Sequence, residues 1–255
     1  MKLTFLEFNE FVSGLTFESS KALSEHFNSN KFIRNRKVDG SLVTEADLNC
    51  EIFIRKQIRS RFSNHGIIGE EFNDENSHSQ YKWIIDPIDG TFSFTNKVPF
   101  FGTLIGFLEN NKPAYGSLRM PLINNDFLSG DNEQSFLNNN LITSVPYDGW
   151  KNSLILTTDE VRISQSPFKE NWNYLKTTGA SFRTWGDCYG YYLMCIGKAD
   201  IMLDVDLKPY DILPLLPIVN GAGLLVIDIS IKKNFSSVVV CKPELEGEMK
   251  KLFLK

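Results

Sequence analysis

Trp83-Ile84-Ile85-Asp86-Pro87-Ile88-Asp89-Gly90-Thr91 is the stretch from which the rest of the chain is read. Its apolar start predicts a short buried strand whose end delivers carboxylates. Pro87 fixes its own backbone and Gly90 permits a sharp turn, so Asp86 and Asp89 are held on one rigid segment. Two carboxylates held that way repel each other unless cations sit between them. Hard oxygen ligands of this kind suit Mg²⁺, which keeps several waters and shares its coordination with a substrate phosphate. A lone Asp-x-x-Asp is more often a solvated turn, so the reading depends on what surrounds it.

Further acids stand at comparable places. Ile67-Ile68 is a second short apolar run and leads into Gly69-Glu70-Glu71. Thr44-Glu45-Ala46-Asp47 fits a helix capping box, worth on the order of 1 kcal/mol, opening a helix that carries Leu48, Ile52 and Ile58. Asp187 precedes a helix from Cys188 to Ile196 that Gly197 ends. Asp211 precedes a helix over Ile212–Val219, and either acid also reads as a plain N-cap.

Outward from these segments, helical spacing of Phe5, Phe8, Val12 and Leu15 predicts an amphipathic helix over residues 3–27, with a break near Gly14. Arg34–Ser41 reads as a basic, solvated loop within reach of the acids. Thr103–Phe107 and Ala114–Leu118 read as a hairpin about Asn110-Asn111. Residues 131–152 are Asn-rich and are expected to cross the surface. Leu154–Thr157, Ile201–Val205 and Leu224–Ile229 read as strands. Helices and strands interleave without a strict βαβ rhythm, which predicts a layered α/β fold with mixed sheets. The 255 residues fit one domain of two packed halves, about 1–145 and 146–255.

A net charge of −4 argues against nucleic acid as a partner. An acidic protein still binds a phosphorylated molecule if cations supply the positive charge. The four cysteines form no CxxC pair and read as reduced thiols of a cytoplasmic protein. No run approaches the roughly 20 apolar residues of a membrane span. His26, His65 and His78 are expected at the surface, and no Ser/His or Cys/His arrangement suggests a covalent nucleophile.

Together, Val43–Asp47, Gly69-Glu70-Glu71, Asp86–Thr91 and Tyr210-Asp211 with Gly221-Ala222-Gly223 downstream resemble the motifs of the inositol monophosphatase-like phosphatases, in order and spacing. The resemblance implies an αβαβα sandwich and Mg²⁺-dependent hydrolysis of a phosphate monoester with two or three ions. By that match Glu70, Asp86, Asp89, Asp211 and the carbonyl of Ile88 would hold metal. Thr91 and Asp47 would orient and deprotonate the attacking water, and the amides of Gly90 and Thr91 would hold phosphate oxygens. Asp187, Asp204 and Asp211 would face the substrate's organic half. Gly186-Asp187-Cys188-Tyr189 and Leu207-Lys208-Pro209-Tyr210-Asp211 resemble the histidinol-phosphate phosphatase subgroup most. Phe92 stands where that subgroup commonly has Arg, and Asp204 where it has Glu. L-histidinol phosphate is therefore the expected substrate, with inositol-1-phosphate or a range of sugar phosphates as the alternative. A 3′-phosphoadenosine phosphatase and a metal-binding scaffold of the same fold rank lower. A homodimer is implied as well.

Overall fold

A computed structural model describes residues 2–29, 34–36 and 42–254. In chain order, α1 (Phe5–Asn28) is followed by a small antiparallel pair, β1 (Arg34–Arg36) and β2 (Leu42–Thr44), and by α2 (Glu45–Arg61). Then come β3 (Gly66–Gly69), β4 (Tyr81–Asp89), α3 (Thr91–Thr95), β5 (Gly102–Glu109), β6 (Lys112–Met120), β7 (Asp126–Gly130), β8 (Ser135–Leu137) and β9 (Asn140–Ile142). The second part contains β10 (Leu154–Leu156), α4 (Glu160–Gln165), α5 (Lys169–Leu175), β11 (Ser181–Arg183), α6 (Asp187–Cys195) and β12 (Ile201–Val205). It ends with α7 (Pro209–Ile212), α8 (Leu216–Gly221), β13 (Leu225–Asp228), β14 (Ser237–Cys241) and α9 (Glu246–Phe253).

Strands β3 to β9 form one sheet in sequence order, parallel only at β3–β4. The second sheet runs β11-β10-β12-β14-β13 and combines parallel and antiparallel pairs. Mixed sheets are therefore the observed architecture. Helices α1 and α2 cover the outer face of the first sheet, where Phe8, Val12, Ile54 and Ile58 pack on Trp83 and Phe107. Helices α6 and α8 lie between the two sheets, joining Leu104 and Leu118 to Met202 and Val240 through Tyr191, Met194 and Ile218. Helices α4, α5 and α9 close the far side over Ile155, Leu203 and Val239. The layers run αβαβα, and helices on both faces of β4 explain why it reads as a continuous apolar run.

Local signals account for much of this. Asn110-Asn111 and Asn138-Asn139 form the two-residue links of β5–β6 and β8–β9. All four have φ between +50° and +66°, the backbone of a type I′ hairpin that Asn tolerates.

Several expectations need correction. Helix α1 runs unbroken through Gly14, where a Cβ would meet nothing within 4 Å, so the glycine marks no contact or kink. Arg34–Arg36 is a strand instead of loop, and the rest of that expected loop, 37–41, lies outside the described residues. The Asn-rich stretch 131–152 supplies β8 and β9 and widens the first sheet. The helix expected over Ile212–Val219 is two short ones, because Pro214 cannot donate the N–H that would continue the first. His65 is buried, not superficial: Trp83 Nε1 donates to its Nδ1 at 3.2 Å, and its ring stacks on Phe62. All four cysteines are free and buried. Among the described residues, no helix is long and apolar enough to cross a membrane.

Candidate metal and phosphate site

Successive side chains of a strand point to opposite faces, so residues three apart should diverge. At the end of β4 they do not. Asp86 pairs with Leu104 and Asp89 with Gly102, so three steps on β4 match two on β5. The extra residue is a bulge containing Pro87, which has no N–H to give the ladder. Its carbonyl is held instead by the Thr103 hydroxyl at 2.9 Å. The bulge turns Asp86 and Asp89 to one side, and Asp211 from α7 meets them there. One carboxylate oxygen from each of the three lies within 4.8 Å of the others.

The backbone then reverses at Gly90, with φ +88°. A Cβ there would lie 2.9 Å from the Phe100 carbonyl oxygen, so glycine is required both by conformation and by space. Thr91 follows as the first residue of α3. Its hydroxyl donates to Ile88 O at 3.0 Å and approaches Asp47 Oδ1 at 3.3 Å. Asp47 is fully buried. Its other oxygen, Oδ2, accepts from Thr44 N at 2.8 Å and from the Thr44 hydroxyl at 2.5 Å. One carboxylate therefore caps α2 with one oxygen and holds Thr91 with the other.

Burial dominates the electrostatics. It pushes Asp47 up to about 6. Asp86 and Asp89 stand well above the ordinary carboxylate range, first from burial and then from neighbouring charge: Glu70, Asp89 and Asp211 for Asp86; Asp187 and Asp211 for Asp89. Asp211 is raised to about 7, chiefly by burial, although Lys208 N donates to its Oδ2 at 2.7 Å. Cys188 N likewise donates to Asp89 Oδ2. Asp86 Oδ1, by contrast, is buried with no hydrogen-bond partner among the described residues. A buried carboxylate oxygen left unpaired is costly, and a divalent cation between the three acids would satisfy it. The donor set is all oxygen, as Mg²⁺ or Ca²⁺ prefers.

Glu70 stands beside this triangle rather than in it, and after burial its charge acts most strongly on Asp86. A buried ion pair that sequence reading missed braces its segment. Glu51 and Arg55, one helical turn apart on α2, meet at 2.7 Å with 0% and 2% of each residue exposed. Arg55 donates onward to the carbonyls of Phe72 and Asn73 and to Glu75, and Glu51 Oε2 accepts from Glu71 N at 2.8 Å. A Cβ on Gly69 would lie 2.0 Å from Glu51 Oε1. The only trace in the sequence is an i,i+4 Glu–Arg pair, which ordinarily means a surface salt bridge.

Next to the triangle lies a small cavity lined by Asp89, Asp187, Tyr191, Asp204 and Asp211, with Arg162 as its only basic lining residue among the described residues. Asp187 has φ +49° and donates its N–H to the Thr158 hydroxyl at 2.9 Å. A non-glycine residue in that region is uncommon and strained. Burial raises its carboxyl to about 6. Asp204 borders the cavity, but its oxygens are taken by Thr158 N, the Thr158 hydroxyl and the Tyr191 hydroxyl at 3.0, 3.0 and 3.2 Å. Burial nevertheless pushes it up to about 7. Thr158, Asp159 and Arg162 also line this space and were not singled out from the sequence.

Comparison with known proteins agrees with this geometry. The profile of the inositol monophosphatase family matches residues 6–253. The histidinol-phosphatase of Chlorobaculum parvum is 30% identical over 210 residues, covering 82% of this chain and 81% of that protein. The inositol-1-monophosphatase of Bacillus subtilis is 32% identical over 108 residues, 42% of this chain and 41% of that protein. The solved inositol monophosphatase of Zymomonas mobilis superposes with a TM-score of 0.84 over the full length of both chains at 23% identity, a likeness of fold. The chain belongs to the inositol monophosphatase family and is a hydrolase of phosphate monoesters.

Proposed function

We propose that the chain is a Mg²⁺-dependent phosphatase whose substrate is L-histidinol phosphate, releasing L-histidinol and phosphate. The observation that carries the metal reading is the buried Asp86 Oδ1, which has no hydrogen-bond partner among the described residues, in a side chain clustered with Asp89 and Asp211. In this reading Asp86, Asp89 and Asp211 hold the cations, with Glu70 and the Ile88 carbonyl completing the set. Bound there, Mg²⁺ supplies Lewis acidity toward the phosphate and toward water. The side chains do the rest. Thr91 orients the attacking water, and its hydroxyl proton is shared between Ile88 O and Asp47. Asp47, raised to about 6 and so mostly ionised at neutral pH, accepts the proton that the water gives up through Thr91. The N–H groups of Gly90 and Thr91 face the phosphate oxygens. No covalent enzyme intermediate is needed.

The substrate assignment rests on charge. Among the described residues, the cavity next to the triangle presents Asp187, Asp159 and Asp206 against the single cation Arg162, which suits an alcohol bearing an ammonium group better than a neutral polyol. Asp204 acts at one remove, fixing Thr158 and through it the strained Asp187 backbone. The histidinol-phosphatase relative supports the same choice. A cytoplasmic homodimer belongs to this reading too, and the free buried thiols suit a reducing compartment.

Phosphate release from histidinol phosphate, inositol-1-phosphate, 3′-phosphoadenosine phosphate and p-nitrophenyl phosphate, each with Mg²⁺, tests the assignment. Histidinol phosphate is expected to show the highest kcat/KM by at least about tenfold, roughly the effect of one well-placed charge pair. Comparable values across the four would remove the dedicated role.

A further inference from the structure

We propose that Trp185 and Phe92 form an aromatic subsite that receives a planar heteroaromatic ring on the alcohol half of the substrate, with Trp185 setting selectivity for such esters. This rests on the phosphatase reading above and deepens it. The acid-lined cavity adjoins a second one of about 650 Å³, and the two share Thr158, Asp159, Arg162 and Asp187 as a common wall. A phosphate ester anchored beside Asp89 therefore has a continuous path across Asp187 into the larger space.

Part of its lining is apolar: Phe92, Val98, Phe100, Val161 and Trp185. Phe92 is 71% exposed and Trp185 39%, whereas Phe94 and Phe101, close by in sequence, are fully buried in the core. Phe92 stands mostly in water and Trp185 partly so at the rim of this cavity, an exposure that suits a ligand. They are also held in place. Phe92 directly follows Thr91, and Trp185 is two residues before Asp187, so both ride on the segments that position the candidate catalytic groups. Phe100 is stacked on Tyr189 with centroids 4.1 Å apart and planes 2° apart, and the Arg183 guanidinium lies 5.8 Å from the Trp185 ring centroid.

The start of α4 lines the same space. Asp159 Oδ1 caps that helix, accepting from Val161 N at 2.8 Å and Arg162 N at 3.2 Å, while Oδ2 stands 3.5 Å from Arg162 Nε. A ring stacked on Trp185 thus shares the cavity with a carboxylate able to accept from a ring N–H. A polyol offers no ring to stack on Trp185 or Phe92.

The test compares histidinol phosphate with glycerol 1-phosphate, which has no ring, using the full chain with Mg²⁺. Trp185→Ala is expected to lower the ratio of the two kcat/KM values about tenfold, the size of one lost aromatic contact in a partly dry site, with the loss carried by KM. Trp185→Phe is expected to recover most of it. The Ki of L-histidinol as product inhibitor should rise in parallel, and Phe92→Ala should shift the ratio in the same direction. An unchanged ratio in both alanine variants overturns the subsite. So does a wild-type enzyme that cleaves glycerol 1-phosphate but neither histidinol phosphate nor p-nitrophenyl phosphate, an outcome that leaves the phosphatase reading standing. Failure to cleave any of the three esters overturns that underlying reading itself.

Discussion

The Thr91 hydroxyl lies 3.3 Å from Asp47 Oδ1 although 44 residues separate the two in the chain. The bridge joins the start of α2 to the start of α3, and it forms because Asp47's other oxygen is already fixed to Thr44. Asp47→Asn and Thr91→Val should each lower kcat by roughly 10²–10⁴-fold, the usual contribution of a positioned proton acceptor. The stability cost should stay within about 2 kcal/mol, that of a lost cap. Because the two act as one unit, the double variant should lose little beyond either single one. Multiplicative losses in a kinetic double-mutant cycle would show that they act separately.

A second prediction concerns the brace behind Glu70. Gly69→Ala places a methyl against Glu51 and Arg55, and Glu51→Gln leaves the buried Arg55 guanidinium short of charge. Breaking a buried pair by one partner costs about 3–5 kcal/mol, so urea midpoints should drop clearly for both variants. Arg55 also holds the carbonyls of Phe72 and Asn73, so Mg²⁺ should bind more weakly as the 70–73 segment loosens. Calorimetric titration in a variant still folded at low temperature checks this. Unaltered Mg²⁺ affinity would confine the pair to a stability role.

Which parts of this were legible from the sequence follows from range. The cap at Thr44, the turn at Gly90 and the turn at Asn110-Asn111 are decided within a few residues and show in the sequence, whereas the bulge at Pro87 shows only in the register of β4 against β5. Strands β8 and β9 were missed because three residues are too short to show an alternation; pairing of β8 with β7 and of β9 with β8 makes them strands. His65 was misplaced because its burial depends on Trp83, Phe62 and Phe107 converging from three elements. Likewise, nothing in Glu51 or Arg55 says that a loop 20 residues on will close over them. Asp211 could be named from the sequence as a further acid, but its approach to Asp86 is made by the packing of α7 against β4.

The buried acids also predict how stability depends on pH. Asp204 and Asp211 titrate near 7 in the folded chain, against about 3.9 when unfolded. Between those values the native state holds protons that the unfolded state has released. Stability is therefore fully supported below about pH 4 by these groups and declines as pH rises through about 7, by up to about 1.4 kcal/mol per unit for each group. Asp86 and Asp89, raised in the same direction, extend the decline. Urea midpoints in EDTA should fall from pH 5 to 8. Mg²⁺, which needs the ionised acids, should stabilise more strongly at pH 8 than at pH 5. A midpoint that rises over this range in EDTA would contradict the folded-state protonation.

Asp89→Asn separates metal binding from folding. The amide oxygen can still accept from Cys188 N, as Asp89 Oδ2 does, so the β4–α6 contact survives. One of three clustered carboxylates is removed, however, and with it a charge that Mg²⁺ needs. Activity should fall by at least about 10³-fold, the scale of losing electrostatic stabilisation at the reacting phosphate. The metal-free variant should meanwhile be as stable as the parent at pH 8 or more so, because Asp89 pushes up Asp86 and is itself pushed up by Asp187 and Asp211. The two signs oppose each other: a site built to hold cations is strained without them, so weakening it relaxes the empty protein while disabling the loaded one. Thermal melts in EDTA and in Mg²⁺ show both at once, with a smaller Mg²⁺-induced rise in Tm expected for the variant. Equal Mg²⁺ stabilisation of parent and variant would place the cation elsewhere.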